Sequence, residues 1–109
     1  MAQATKVLGQ ANPAANALTD LYTPSGASSA VVSTIVICNQ ASTVGAFRIS
    51  IAVAGAADAL KQYIAYDALI AGNTTVPFTI GITLANTDVM RVQANSAFMS
   101  FSGFGVEVT

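Results

Sequence analysis

At 109 residues the chain suits one domain, and a hydrophobic content of 53% is enough to bury a core without covalent staples. Only 8% of the residues are charged, with four basic and five acidic side chains and a formal net charge of −1. That excludes a nucleic-acid footprint, which needs clustered Lys and Arg. The single cysteine, Cys38, excludes an internal disulfide.

Residues 1–16 are rich in Ala, Gln and Asn and contain Pro13. They read as an extended N-terminal arm with one short strand around Lys6 to Gly9. No apolar signal-peptide core is present in MAQATKVLGQANPAA. From residue 17 to 109 the chain reads as one β domain. The segment 17–24, ALTDLYTP, ends at Pro24 and Gly26. Residues 30–39, AVVSTIVICN, form the next strand. Its apolar run is about half of the roughly 20 residues that a membrane span requires, so no membrane partner is expected. Cys38 sits in this run and is expected to be a small buried hydrophobe.

After a turn at QASTVG, residues 46–54 alternate. Phe47, Ile49, Ile51 and Val53 are expected inward, and Arg48 and Ser50 outward. GAADALKQ, residues 55–62, is a loop or a single helical turn, and KQYIAYDALI, 61–70, is another strand. Residues 74–84, TTVPFTIGITL, place Val76, Phe78, Ile80, Ile82 and Leu84 on one face. Pro77 cannot donate to a ladder, which predicts an edge position or a bulge there. The last strands are DVMRVQA, 88–94, and AFMSFSGFGVEVT, 97–109, with Gly103 and Gly105 expected to bend the final one. Seven or eight short strands without an amphipathic helix predict an all-β fold: a single antiparallel β-sandwich, jelly-roll or immunoglobulin-like.

The run 31–37 is apolar on both faces, with Val31, Ile35 and Ile37 on one and Val32 and Val36 on the other. A sandwich strand has only one inward face, so a second cover is needed. The arm, a loop or a neighbouring subunit would each supply it. Outward residues such as Ser50, Ala52, Thr79, Gly81 and Thr83 are small and uncharged, which permits close flat packing. Ser and Thr are also ordinary β-formers on a solvated face. The chain-wide shortage of charge favours a neighbouring subunit, with Lys6, Val7, Leu8, Val32, Val36, Thr79 and Thr83 as the expected interface residues.

Little else carries chemistry. With no histidine there is no Ser-His or Cys-His pair and no imidazole ligand. Asp58, Asp67 and Asp88 are too scattered for a carboxylate pair or a calcium loop. No catalytic residue, metal site or cofactor is expected. Tyr22, Tyr63 and Tyr66 are the candidates for a sugar-binding platform, against an ordinary place in the core or at its rim.

Several segments together resemble a group of small structural proteins of tailed bacteriophages: LGQ at 8–10, LTDLYT at 18–23, VVSTIVICN at 31–39, FRISIA at 47–52, GAADA at 55–59, GITL at 81–84 and DVMRV at 88–92. The resemblance spans most of residues 7–95 and consists of β-strand similarity rather than a catalytic signature. It implies a virion component: a capsid decoration (cement) protein, or a neck, tail or fibre-associated subunit. Its implied partners are copies of itself, a trimer being one arrangement, and the major capsid protein or another virion protein. The implied location is the virion, assembled in the host cytoplasm. A small receptor-binding head for a host glycan is the alternative from another class.

Overall fold

The computed structural model describes residues 2–24, 27 and 29–109. Its strands are β1 (Gln3–Ala11), β2 (Thr19–Tyr22), β3 (Ser29–Asn39), β4 (Gly45–Ala52), β5 (Tyr63–Ile70), β6 (Thr74–Phe78), β7 (Ile82–Ala85), β8 (Val89–Ala94) and β9 (Met99–Val108). Two 3-10 turns, Val53–Gly55 and Leu60–Gln62, lie between β4 and β5. The turn expected at Gly26 lies outside the described residues.

The strands pair as nested antiparallel hairpins: β1 with β9, β2 with β8, β3 with β6 and β7, and β4 with β5. Lateral pairing of β9 with β3, and of β8 with β4, then assembles two sheets. Their orders are β1-β9-β3-β6, with β7 also on β3, and β2-β8-β4-β5. One long hairpin ladder wrapped into two facing sheets is a jelly roll, so this topology decides between the two sandwich types the sequence allows.

The core lies between the sheets. Ala30, Val32, Ile35, Ile37, Met99 and Phe101 of one sheet meet Phe47, Ile49, Met90, Val92 and Ala94 of the other. Phe47 and Phe101 meet edge to face, with ring centroids 6.2 Å apart.

Four local expectations need correction. Residues 3–11 do not extend away from the domain. They form β1, in register with β9 from Gln3 opposite Val108 to Ala11 opposite Phe101. The alternation of β4 stops at Ile51, and Val53 enters a 3-10 turn and is exposed. Ser50 does face out of its sheet, yet it is fully buried, because residues 53–62 return over it. Arg91, opposite Ser50 in register, donates to the Ala56 carbonyl at 3.0 Å. Finally, the single strand expected over 74–84 breaks between β6 and β7, where Gly81 adopts a left-handed φ of 65° and Ile80 turns to solvent. Pro77 sits on β6, at the sheet edge, where its missing N–H costs nothing.

Candidate assembly surface

The phase of β3 determines which of its residues face out. A bulge between Val32 and Thr34 makes Ser33 an extra residue opposite β9. Side chains therefore switch phase at that point. Ala30, Val32, Ile35, Ile37 and Asn39 are buried, whereas Val31, Thr34, Val36 and Cys38 lie on the outside. The apparent two-faced hydrophobicity of residues 31–37 is thus partly a change of phase within one strand. Cys38 is half-buried on the outer face, not in the core.

Register continues this outer face across the five-stranded sheet. One row runs Thr5, Val106, Val31, Thr83; another runs Gln10, Ser102, Val36, Pro77. Between them lies the row Val7, Phe104, Thr34, extended by a hydroxyl–hydroxyl hydrogen bond of 3.2 Å from Thr34 to Thr79. Val7, Val31 and Phe104 are the exposed large apolar residues of this surface. Strands about 4.8 Å apart, rising about 3.3 Å per residue, give this face an area on the order of 600 Å².

No charged side chain belongs to these rows. Lys6 and Glu107 have the opposite phase, and Lys6 Nζ lies 2.9 Å from Glu107 Oε1. The Tyr22 hydroxyl, from the facing sheet, also donates to Glu107. These contacts hold the Glu107 carboxyl below its usual range, the Tyr22 bond contributing most and Lys6 next. Burial, together with Glu107, keeps the Tyr22 phenol protonated.

The remaining charges lie on the four-stranded sheet or in its loops. Arg48 makes a two-pronged contact with Asp67, Nε to Oδ1 at 2.7 Å and Nη2 to Oδ2 at 3.1 Å, and stacks 4.0 Å from the Tyr66 ring centroid. The guanidinium holds the Asp67 carboxyl low. Tyr63 packs edge to face on Tyr66 at 5.1 Å and donates to Asp58 at 2.8 Å. Arg91 pairs with Asp20 at 3.2 Å. Tyr22 is buried away from this group, so the three tyrosines form no common platform. An open depression of about 560 Å³ over this sheet is lined by Ile51, Val53, Ala56, Lys61 and Gln62, with no acid-base pair. Among the described residues no group of three His, Cys, Asp or Glu could hold a metal ion.

Of the interface residues expected from sequence, Val7, Val36, Thr79 and Thr83 share the outer face. Lys6 is exposed but turned to Glu107. Leu8 and Val32 are core residues and must be withdrawn, since each lies beside a bulge that turns it inward. Thr5, Val31, Thr34, Phe104 and Val106 belong to the face and were not expected there. The alternation in SFSGFGVEV was the available signal for Phe104 and Val106.

No family model matches this sequence. No curated protein matches it either. Among solved structures, the chain is similar to a chain of the "Structure of infectious bursal disease virus Gx strain", with 14% identity and a TM-score of 0.32. The match covers 95% of this chain and 28% of that one. A likeness at that level carries no functional argument.

Proposed function

We propose that the protein is a virion structural protein, a capsid decoration protein whose five-stranded sheet lies with its outer face on subunits of the shell. The observation that carries this reading is the partition of charge: one broad sheet face bears none, whereas the other sheet and its loops bear seven of the chain's nine ionised groups. An uncharged β face can be desolvated cheaply, because no ion must leave water. Its area falls somewhat below the roughly 800 Å² per partner of a standard interface, so each copy contributes a modest contact that is repeated over a shell. The resemblance to small structural proteins of tailed phages points the same way. The jelly roll is compatible with this role, although a fold alone assigns none.

A neck or tail ring subunit would use the same face in a cyclic assembly, and copy number separates the two. Hundreds of copies per purified particle are expected for a shell protein, and about a dozen for a ring. The test of the face is Thr83→Lys, which places an ammonium beside Val31 and Val106, with Gln93→Lys on the opposite sheet as the control. Thr83→Lys is expected to lower occupancy about tenfold or more, the effect of an unpaired charge at an interface, while Gln93→Lys leaves it unchanged. Equal occupancy for both variants, or absence of the wild-type protein from particles, overturns the reading.

A further inference from the structure

Two open sheets present four edges, and three of these are blunted. β2 has four residues, a register shift between Asp20 and Tyr22, and an exposed carboxylate. β5 is interrupted by register shifts and by Asp67 at a φ of 53°. β6 contains Pro77, and the break at 79–81 separates it from β7, the strand of only four residues that continues this edge along β3. β1 differs. From Gln3 to Val7 it runs in unbroken register with β9, and all five residues are exposed.

The hydrogen-bond phase of this edge is fixed by its end. Ala2 and Thr109 exchange both backbone bonds, at 3.2 and 2.9 Å. In an antiparallel ladder bonded and non-bonded pairs alternate. The pairs 4/107 and 6/105 are therefore bonded, and Gln3, Thr5 and Val7 turn their N–H and C=O groups away from β9. Their side chains are uncharged and lie on the outer face described above. Lys6, the residue type that commonly guards an edge, points the other way and is neutralised by Glu107. Beyond Val7 the edge closes: the register shifts, and the Leu21 carbonyl approaches Gly9 so closely that an added Cβ would stand 2.1 Å from it.

We propose that residues 3–7 of β1 are a self-complementary docking strand that pairs with β1 of a second copy, antiparallel, about a twofold axis at Thr5. In this register Gln3 faces the partner's Val7, and Thr5 faces the partner's Thr5. All three outward-turned residues of each copy are then used, forming three bonded pairs and hence about six N–H···O bonds. Lys6 stands opposite the partner's Ala4, so no like charges meet. The two five-stranded sheets join edge to edge, and their uncharged faces become one surface. The chemistry is strand addition, with main-chain bonds supplying affinity, under the isologous symmetry of a twofold dimer.

The test uses the isolated full chain in sedimentation velocity over a wide concentration range, with thermal melting to confirm folding. Wild type is expected to dimerise reversibly. Thr5→Asp and Thr5→Lys each place like charges face to face and are expected to raise the dissociation constant about tenfold or more. An equimolar mixture of the two variants places Asp opposite Lys and is expected to restore the dimer. A wild-type monomer, a wild-type oligomer indifferent to both charges, or weakening without rescue in the mixture each overturns the proposal. Thr83→Lys is expected to leave this dimer intact, which separates a failure here from a failure of the capsid-face reading.

Discussion

Asn39 ends β3 with its side chain buried, and its amide ties three segments together. Nδ2 donates to the carbonyls of Thr43 at 3.0 Å, Ile70 at 3.2 Å and Ala71 at 3.3 Å. Oδ1 accepts from the Ala41 N–H at 3.1 Å. Truncation in Asn39→Ala removes these bonds, the one to the Ile70 carbonyl inside a buried site, and leaves a void where the amide was. A buried polar group left unpaired costs about 1–3 kcal/mol, and each lost bond about 1 kcal/mol where water does not replace it. Thr43 and Ala71 are exposed and regain water, so the expected cost is about 2–4 kcal/mol. For a domain of this size that lowers Tm by roughly 8–16 °C. Asn39→Asp keeps the shape but turns a carboxyl oxygen on the same three carbonyls, and is expected to cost more than the alanine. Urea and thermal denaturation measure both. Hydrogen exchange of the Asn73 amide, which bonds the Ala41 carbonyl at 2.8 Å, reports the same loop junction. A cost below about 1 kcal/mol for Asn39→Ala, or an Asp variant as stable as the Ala variant, would refute this account.

Two further outcomes follow from the charged groups. The Tyr22 and Lys6 contacts hold the folded-state pKa of Glu107 below its ordinary value, so the stability it contributes is present above that ordinary value and is lost as pH falls through the folded pKa. The urea midpoint is expected to hold from neutrality down to about pH 5 and to fall below it. Glu107→Gln should flatten that acid limb, and an unchanged limb would remove Glu107 from its cause. At Asp67 the left-handed φ of 53° is tolerable for Asn but strained for Ala. Asp67→Asn is expected to cost little and in a salt-dependent way, and Asp67→Ala measurably more, because it adds the left-handed strain. Equal costs in a denaturation series would show that the strain is absent.

The elements that could be read from sequence are those whose burial follows period two without interruption. Residues 88–94 and most of 46–52 and 99–108 are of this kind, and they sufficed to predict a β-sandwich. What escaped was set by partners distant in sequence. The composition of residues 3–11 does not announce a strand; β9, about a hundred residues away, makes it one. The bulge in β1 lies beside Gly103 and Phe104 of β9, and the bulge in β3 beside Phe104 and Gly105, so both fall at one level of the sheet. Neither bulge is marked by a proline, and Ser33 is not even a glycine. Period-two counting across the β3 bulge therefore set Val32 on the same face as Val36, and with no phase read for the arm Leu8 was not separated from Val7; Val7, Val36, Thr79 and Thr83 lie on the outer face. The choice of jelly roll likewise rests on pairings such as β2 with β8, which local propensity cannot supply.

The shortage of charge is better understood as a segregation of charge. Lys6 and Glu107 neutralise one another at the flank of the sandwich, and the other seven ionisable Asp, Lys and Arg side chains keep the four-stranded sheet and its loops hydrated. The side without charge carries both the broad face and the one unblunted edge, and Thr5 and Val7 belong to each. A chain adapted only to stay dispersed would separate or guard such features. Their coincidence makes the two proposals physically linked but experimentally separable. A charge at Thr83 touches the face alone and should lower particle occupancy with the free dimer unchanged. A charge at Thr5 touches both and should lower both. If occupancy fell only with the Thr5 variants, the edge and not the face would be the surface that meets the particle.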